Sequence, residues 1–337
     1  MTLLPADRVW GGAEVRPGPP RVERLRDVVY TPYHFDLAWG VFDHDGRIVE
    51  PTVDRRYPQG EPIAQVPEIT AAELASAVPA PPGEYIYVGR FSTHFGHFLV
   101  ETLPRYWSLT RGVGPRQKLL IHEVRAYNFF EGFPFAQDIF RALGLRREHF
   151  FFAVEPTRIA ELTVPHASLR QQAWAHPAYG RLCRHIGRRL LAGRRATRRG
   201  RPVWLSKSRL GEGVARFLDE DRLEAALSAA GVEIVHPETL PLAEQLALFE
   251  EREAVLGMTG SAFHLAAFAS APTRLIGLGC DATVNSNLVL FDRIGRLDMQ
   301  RVYAPGTIAA RPIHGRFLVE ATLPDPEQVA RDLLALI

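Results

Sequence analysis

Three titratable side chains recur at helical spacing in the segment STHFGHFLVETLP, residues 92–104. His94, His97 and Glu101 are three and four residues apart, so a helix that begins near His94 places them along one face. A histidine beside a carboxylate suits general base chemistry, in which one group abstracts a hydroxyl proton and the other orients it or tunes its pKa. The spacing leaves open whether His97 or Glu101 is the base; Glu101, with His97 positioning the acceptor, is favoured because a carboxylate remains ionised at neutral pH. Two other interpretations remain: a metal site on the same three residues, and histidines that only pack at a helix start.

A glycine-rich turn follows an apolar run in GMTGSAFHLAAFA, residues 257–269. Where a strand leads into a helix, free backbone N–H groups and the helix dipole favour an anion, and phosphate is the natural ligand. Gly257 and Gly260 permit close approach of the backbone, whereas Thr259 and Ser261 offer hydroxyl donors and an N-cap. His264 is predicted to lie one turn into the helix and to face the same end. The alternative is a turn with a purely structural role.

Two cations and a hydroxyl follow the apolar start of WLSKSRL, residues 204–210. Ser206, Lys207 and Arg209 stand at the predicted carboxyl end of a strand, where open parallel sheets hold ligands. This set suits a diphosphate, and Arg216 could reinforce it. The alternative is a solvated loop, but Lys207 is one of only two lysines in an arginine-dominated chain, which favours a binding role.

The remaining acidic and thiol groups do not suggest a metal site. Asp43 and Asp45 flank His44 in a predicted hairpin turn, where aspartate is favoured for backbone reasons. Cys183 and Cys280 are the only cysteines, too few for a disulfide scaffold or a thiolate zinc site. We therefore expect neither a metal nor a cofactor.

The elements around the histidine segment alternate between strands and helices, which is typical of a parallel sheet with crossover helices. Residues 1–28, rich in Pro, Gly and Arg, are predicted to be irregular, so the first ordered unit is a β-hairpin around Asp45 and Gly46. Between 83 and 165 the predicted order is strand EYIYVGR, helix HFLVETLPRYWSLT, strand KLLIHE, helix AQDIFRALGL, and strands FFFAVE and RIAELTV.

The alternation restarts after a helical stretch with Leu182, Ile186 and Leu190 and a linker-like segment, AGRRATRRGRP. Strands PVWLS, VEIVH, AVLGM and TRLIGLG alternate with helices DEDRLEAALSAAG, LAEQLALFEER and SAFHLAAFA, which predicts a second, Rossmann-like sheet. The chain is therefore predicted to be α/β with two domains, 1–194 and 195–337. A terminal helix, PEQVARDLLALI, belongs to the second domain or packs back on the first.

Bulk properties narrow the classes of partner. With 337 residues, 46% of them hydrophobic, the chain can build two cores, and a formal net charge of +2 gives no sign of a nucleic-acid partner. The first residues lack the features of a secretory signal and no apolar run approaches a membrane span, so a cytoplasmic location is expected. The arginine-rich run from Arg181 to Arg201 could contact anionic lipid or a lipid-phosphate acceptor at the inner face of the membrane, or could be a solvated helix and linker.

Four segments resemble, in their order and spacing, the motifs of glycosyltransferase family 61. The resemblance covers residues from about 85 to 270, in HFGHFLVETLPR, in WLSKSRL with the residues that follow it, in HPETLPLAEQLALFE and in VLGMTGSAFHLAAF. The family's first motif is similar to Gly-His-Phe or Gly-His-Trp before an acidic residue and Leu-Pro. His97, Glu101, Leu103 and Pro104 stand at those places.

The family's second motif is similar to Ser-Arg, a later Arg and Asn-Glu. The corresponding residues in this chain are Ser206-Lys207, Arg216 and Asp219-Glu220. The chain departs from the family's motifs at two places. Lys207 stands where the family often has Arg, and Thr-Gly-Ser at 259–261 stands where many members have His-Gly-Ala. The donor preference of relatives therefore does not transfer to this chain.

The resemblance implies a GT-B-like fold of two facing Rossmann-like domains and a nucleotide-sugar donor held mainly by the C-terminal one. It also implies inverting transfer to a polysaccharide, lipid-linked glycan or other glycan acceptor, in surface polysaccharide synthesis. The acceptor hydroxyl, deprotonated by His97 or Glu101, would attack the anomeric carbon. Lys207, Arg209 and the helix that begins at Ser261 would stabilise the departing diphosphate without a divalent metal.

Two alternatives come from other functional classes. The chain could be a non-catalytic nucleotide-binding or sugar-binding scaffold of a polysaccharide assembly complex, although the pair of His97 and Glu101 argues against this. It could also be a nucleotide-dependent epimerase or hydrolase, which would need a bound dinucleotide or metal. The first strand is not followed by G-x-G-x-x-G, the dinucleotide motif.

Overall fold

A computed structural model of the chain describes residues 2–33, 39–56, 61–62, 65–123, 130–194, 200–312 and 316–337. The backbone divides into two compact units, one formed by Ala13–Arg189 and the other by Leu190–Ile337 together with Met1–Gly12. The predicted boundary near 195 falls in residues 195–199, which lie outside the described part.

The described strands, in chain order, are β1 Leu4–Pro5, β2 Arg8–Trp10, β3 Glu14–Val15, β4 Val22–Thr31, β5 Gly40–Phe42, β6 Arg55–Arg56, β7 Glu61–Pro62, β8 Val78–Pro79, β9 Glu84–Arg90, β10 Gln117–His122, β11 Phe150–Phe151, β12 Thr157–Pro165, β13 Leu169–Arg170, β14 Trp174–Ala175, β15 Val203–Leu205, β16 Gly213–Phe217, β17 Glu233–Val235, β18 Ala254–Met258, β19 Arg274–Gly279, β20 Thr283–Asn285, β21 Met299–Tyr303, β22 Ile308–Ala310 and β23 Phe317–Thr322. The α-helices are α1 Ala71–Ser76, α2 Phe95–His97, α3 Pro134–Ala142, α4 Pro177–Leu190, α5 Glu220–Ala229, α6 Leu242–Glu251, α7 Ser286–Gly295 and α8 Pro326–Leu334. A π-helical turn spans Phe98–Thr102, and 3-10 helices span Glu50–Thr52, Leu103–Leu109, Arg147–His149, Pro237–Thr239 and Ser261–Phe268.

The main sheet of the Ala13–Arg189 unit is mixed, with the strand order β11-β10-β9-β12-β4-β5 and β8 beside β12. Strands β9 to β12 run parallel to their neighbours in this set, as the sequence predicts, whereas β4 and β5 pair antiparallel. The strand predicted over FFFAVE is confirmed only at Phe150–Phe151. Tyr30, Tyr87, Leu120 and Ile159, one from each of four strands, are buried together at the centre of this sheet.

The prediction of an irregular lead-in over residues 1–28 is wrong. β4 pairs with β12 from Val22 opposite Pro165 to Tyr30 opposite Thr157, so it is a long inner strand of the sheet. Local composition does not predict this strand, because the residues before it are rich in Pro and Gly, which is typical of a loop. Its stabilising partner, β12, lies far along the chain.

The predicted hairpin around the Asp45-Gly46 turn is confirmed. The backbone N–H of Asp43 donates to the carbonyl of Arg47 at 2.8 Å, and Phe42 bridges Ile48 across the turn. Oδ1 of Asp43 accepts hydrogen bonds from the N–H groups of Asp45 and Arg47, at 3.0 and 2.9 Å. Asp43 therefore has the predicted backbone role.

The sheet of the second unit has the order β1-β21-β19-β18-β15-β17, and every neighbouring pair except β1 with β21 is parallel. Counted along the chain, its five parallel strands are arranged 2-1-3-4-5. The order therefore reverses between β15 and β18, and open α/β sheets bind ligands outside the carboxyl ends of the strands at such a reversal. Ser206, Lys207 and Arg209 of WLSKSRL follow β15, and Thr259 and Gly260 of the glycine-rich turn follow β18.

Most predicted elements of this unit are confirmed, but two groups of strands and helices were missed. The first group is β16, at Gly213–Phe217, with which β23 and β22 form a small sheet, together with α7, β20 and β21 in residues 280–325. The predicted first domain contained residues 1–12, yet in the structure β1 pairs with β21 and β2 pairs with β20. The terminal helix α8 packs against α5, and its Val329, Ala330 and Leu333 are buried in the core of this same unit. None of the described helices is both long and apolar enough to span a lipid bilayer.

Candidate functional site

The histidine segment is helical, but it is not the uniform helix that the sequence predicts. His94 is the N-cap, and its Nδ1 accepts a hydrogen bond from the N–H of His97 at 3.4 Å. The chain then passes from one α-helical turn into the π-helical turn and the 3-10 helix Leu103–Leu109, which has Pro104 in its first turn. A proline near a helix start suits such a change of hydrogen-bond pattern, because it supplies no N–H.

The predicted pair of His97 and Glu101 is formed. Nδ1 of His97 lies 2.9 Å from Oε1 of Glu101, and Gln171 donates to the same oxygen at 2.9 Å. Oε2 of Glu101 accepts a 2.6 Å hydrogen bond from the guanidinium of Arg90. The Glu101 side chain is only 4% exposed, whereas that of His97 is 44% exposed.

Glu101 belongs to a buried network of two carboxylates and two arginines. Arg90 ends β9 and also lies 3.7 Å from Oδ2 of Asp54, whose Oδ1 lies 3.6 Å from Arg105. Burial raises the pKa of the Asp54 carboxyl, and Arg105 and Arg90 oppose that rise. The two positive and two negative charges compensate each other, which a buried ionic cluster requires.

Gly89 makes room for this network. It has a φ of 83°, and a Cβ placed on it would lie 2.8 Å from Cδ of Arg105. A larger residue would therefore meet both backbone strain and a clash. Arg105 donates in turn to the carbonyl of Pro51 at 2.8 Å, so this glycine helps the chain bring remote segments together.

The geometry divides the roles within the pair. A carboxylate at Nδ1 selects the tautomer in which that nitrogen carries the proton, which leaves Nε2 as an acceptor. His97 is the more exposed member, and both oxygens of Glu101 already accept hydrogen bonds. This arrangement is suited to His97 as the base and Glu101 as the orienting group, which is the opposite of the assignment that the sequence favours. The metal interpretation fits less well, because Glu101 is occupied by hydrogen-bond donors. Among the described residues, no group of three or more His, Cys, Asp or Glu side chains is placed to hold a metal ion.

In the other unit, the structure brings Lys207 and the glycine-rich turn together. Nζ of Lys207 donates to the carbonyl of Thr259 at 3.2 Å, and a Cβ on Gly260 would lie 2.8 Å from that ammonium. Burial lowers the pKa of Lys207, and Glu220 and Cys280 oppose that effect. The result is a cation fixed beside a backbone turn at the strand-order reversal.

Glu220 holds the Lys207 segment in place. Its Oε1 accepts hydrogen bonds from the backbone N–H of Lys207 and from Nε1 of Trp204, each at 3.0 Å. Glu220 is 1% exposed, and burial raises its pKa. Ser206, beside it, is also buried, and its Oγ accepts from the N–H of Ser208 at 3.0 Å. The hydroxyl of Ser206 thus shapes the turn that presents Lys207.

Two residues predicted to bind the nucleotide-sugar donor do not have their predicted positions. Ser261 is not the N-cap: Gly260 holds that position, and Ser261 is the first residue of a 3-10 helix. His264 does not face the predicted ligand end, because it is buried and stacks on Phe291 with ring centroids 4.0 Å apart. Burial lowers the pKa of His264 to about 3. This histidine therefore packs as a neutral ring.

The remaining three predicted residues have different surroundings. Arg216 forms an ion pair with Glu320 at 2.5 Å and lies over the ring of Phe317. Arg209 is exposed in the turn after Lys207. Gly257 is part of β18, opposite Leu205 of β15, where a Cβ would lie 3.0 Å from Cβ of Leu205. It supports close strand packing below the turn.

Sequence reasoning missed Arg90, Asp54 and Gln171. Arg90 could have been found, because it stands at the carboxyl end of a predicted parallel strand. Glu220 appeared only as part of a family motif. Asp54 and Gln171 carry no local signal, since the contact of Gln171 with Glu101 spans 70 residues.

A protein-family model described as Glycosyltransferase 61 matches residues 95–276. The matched range contains His97 and Glu101 as well as Lys207, Glu220 and Gly260. No curated protein matches the chain.

Proposed function

Because this chain belongs to the glycosyltransferase 61 family, we propose that it transfers a sugar from a nucleotide-sugar donor to a hydroxyl of a glycan acceptor, with inversion at the anomeric carbon. The observation that carries the proposal is the pair of His97 and Glu101, whose carboxylate is held by Arg90 and Gln171. Such a supported, partly exposed imidazole is suited to general base catalysis.

In the proposed reaction, Nε2 of His97 accepts the proton of the acceptor hydroxyl as its oxygen attacks the anomeric carbon. The bond from that carbon to the diphosphate oxygen breaks, and the nucleoside diphosphate departs from the opposite face. The proton stays on His97, and Glu101 stabilises the resulting imidazolium. Arg90 and Gln171 keep the carboxylate in position, which lowers the entropic cost of aligning the base.

The donor part of the proposal concerns Lys207 and the turn at Thr259 and Gly260. A cation and the backbone N–H groups of Gly260 and Ser261 at a strand-order reversal are suited to a diphosphate, and they would stabilise the charge that builds up as it leaves. The N–H of Thr259 is not among them, because it donates to the carbonyl of Leu278 at 2.9 Å. Arg209, exposed beside this turn, would add a second cation. We include in this proposal the GT-B arrangement of two Rossmann-like domains that the family resemblance implies.

The proposed setting is the synthesis of a surface polysaccharide from cytoplasmic nucleotide sugars, with a polysaccharide or lipid-linked glycan as acceptor. It is supported by the family resemblance alone. The arginine-rich run at 181–201, part of which lies outside the described residues, is the segment that we would test for contact with anionic vesicles.

The test is to incubate the protein with sugars linked to UDP, GDP, ADP, dTDP and CMP, with and without a panel of glycan acceptors. We expect nucleotide release and a new glycoside from at least one donor, and NMR of the product should show the anomeric configuration inverted. His97→Ala should bind the same donor and form no product. Nucleotide binding without release from any donor would instead favour the scaffold alternative.

A further inference from the structure

A cavity of about 420 Å³ lies beside Glu101 in the Ala13–Arg189 unit. Its size falls within the range of about 300 to 1,000 Å³ that is usual for small-molecule sites. Its lining includes Gln171 and Trp174, and it contains acidic and basic side chains in similar number. The ion pairs among these side chains show which lining charge is available to a ligand.

Each carboxylate that lines the cavity has a cationic or imidazole partner. Glu50 forms a two-oxygen ion pair with Arg55, at 2.7 and 2.9 Å. Oε1 of Glu23 lies 2.7 Å from Nε2 of His166. Asp54 and Glu101 belong to the buried network with Arg105 and Arg90.

Arg170 lines the cavity but takes part in none of these ion pairs. Among the described residues its guanidinium has no carboxylate partner, and its Nε is buried without a hydrogen bond. Burial lowers the pKa of Arg170, the nearby positive charges of Arg55 and Arg16 act in the same direction, and the negative charge of Glu50 opposes them. The Nε is enclosed, so a ligand in the cavity would meet the two terminal nitrogens of the Arg170 guanidinium, which are not among the buried unpaired atoms.

Arg170 is tied to the catalytic pair by the backbone. It ends β13 and pairs with Trp174 of β14, so that both residues line the cavity from one short hairpin. Gln171, the next residue, donates to the carboxylate of Glu101. A ligand held by Arg170 would therefore lie next to the group that orients His97.

We propose that this cavity is an acceptor subsite for a negatively charged sugar residue, whose carboxylate or phosphate pairs with Arg170. This inference rests on the proposed function, since it names the class of acceptor that the transfer would use. Two fixed oxygen atoms match the planar donors of a guanidinium. Trp174 also lines the cavity; the guanidinium of Arg16 covers one face of its ring at 4.4 Å, so a sugar could stack only on the other face.

The experiment measures binding without a donor, by calorimetry and ligand-observed NMR. The probes are methyl glycosides of hexuronic acids, hexose 6-phosphates and the matching neutral methyl hexosides. The variants are Arg170→Gln, which removes the charge, and Arg170→Lys, which keeps it without the planar fork. Arg141→Gln, an exposed arginine on α3 outside the cavity, is the matched control. The phosphates are also titrated into Lys207→Ala, to separate binding at the proposed donor turn.

We expect the anionic probes to bind about tenfold or more tightly than their neutral counterparts, as a charge-assisted hydrogen bond provides. Arg170→Gln should abolish this preference, Arg170→Lys should keep part of it, and Arg141→Gln should leave it unchanged. The melting temperature of Arg170→Gln should be equal to or higher than that of the wild type, because no ion pair is lost. A preference for uronates alone, or for phosphates alone, identifies which anion the subsite takes.

Equal affinity for charged and neutral probes, no detectable binding of any probe, or an unchanged preference in Arg170→Gln would each overturn the inference. The proposed function can fail separately. If no donor supports transfer but the preference for anionic sugars depends on Arg170, the subsite stands and the transferase proposal falls. If transfer occurs equally well to neutral and anionic acceptors, the transferase proposal stands and the anionic subsite falls.

Discussion

Nδ1 of His97 lies 2.9 Å from Oε1 of Glu101, and the other oxygen of this carboxylate accepts a 2.6 Å hydrogen bond from Arg90. The histidine is thus oriented by a group that is itself anchored. Its partner is almost completely buried, whereas the imidazole reaches solvent. Loss of each residue should therefore have a different effect on stability.

His97→Ala should slow transfer by about 10² to 10⁴ fold, the usual contribution of a general base, while the free energy of unfolding changes little. Glu101→Gln should slow transfer and also destabilise the protein by about 3 kcal/mol, because it leaves Arg90 with a weakened buried partner. Urea unfolding and initial rates measured on both variants check this. Equal rates in wild type and folded His97→Ala would rule out His97 as the base.

Lys207→Ala and Gly260→Ala should both weaken binding of the donor nucleotide. The first removes the ammonium, with a cost of about 1.5 to 3 kcal/mol or roughly tenfold or more in affinity. The second adds a Cβ that would lie 2.8 Å from that ammonium and must displace it. Calorimetric titration with nucleoside diphosphates measures both. Lys118→Ala, at the other lysine, is the control, and unchanged affinity in both turn variants would place the donor elsewhere.

His264 should make the second unit sensitive to acid. Its pKa in the folded protein, about 3, lies below the value of 6.5 for an ordinary histidine. Between these values the unfolded chain binds the extra proton, so stability is complete above pH 6.5 and is lost as the pH falls towards 3.

His264→Phe keeps a ring against Phe291 and removes the titrating group. Between pH 6.5 and about 3, the slope of unfolding free energy against pH should then be shallower by up to about 1.4 kcal/mol per pH unit. Denaturant titrations at several pH values measure the slope, and His44→Asn in the exposed turn controls for loss of a histidine. Parallel curves for wild type and His264→Phe would show that burial of this ring does not govern acid sensitivity.

Two glycines with positive φ provide a matched test of the Arg105 network. Gly112→Ala meets no heavy atom within 4 Å, so it should cost only the backbone strain of about 1 to 2 kcal/mol. Gly89→Ala adds contact with Arg105 and should cost about 3 kcal/mol or more. Thermal or urea unfolding gives both values. Similar losses at the two sites would mean that Arg105 shifts aside without penalty.

Transfer should continue in the presence of a chelator. In the proposed donor site, Lys207 and the backbone donors around Gly260 would provide the positive potential that a divalent ion would otherwise supply to the leaving diphosphate. The measurement is the initial rate in EDTA and after addition of Mg²⁺ or Mn²⁺. Strong loss in EDTA that either ion restores would contradict this prediction and direct attention to Asp43, Asp45 and the histidine segment.

The sequence alone was sufficient where short-range geometry decides the outcome. Residues four apart on a helix are neighbours whatever surrounds them, so the contact of His97 with Glu101 follows from spacing. Apolar runs of strand length similarly identified β9, β15 and β18. Lys207 and Gly260 could be expected to meet, because the ends of neighbouring parallel strands lie at one edge of a sheet.

Only the tertiary structure decided the groups that hold and modify these residues. Gln171 reaches Glu101 across 70 residues, and Arg216 reaches Glu320 across 104. β4 is stable as a strand because it pairs with β12, and no local sequence pattern predicts that pairing. His264 has the helical position of a ligand-binding residue, but the packing of Phe291 makes it a buried neutral ring. Burial and long-range pairing depend on how the whole chain packs, and these two properties determine which polar side chains remain available for chemistry.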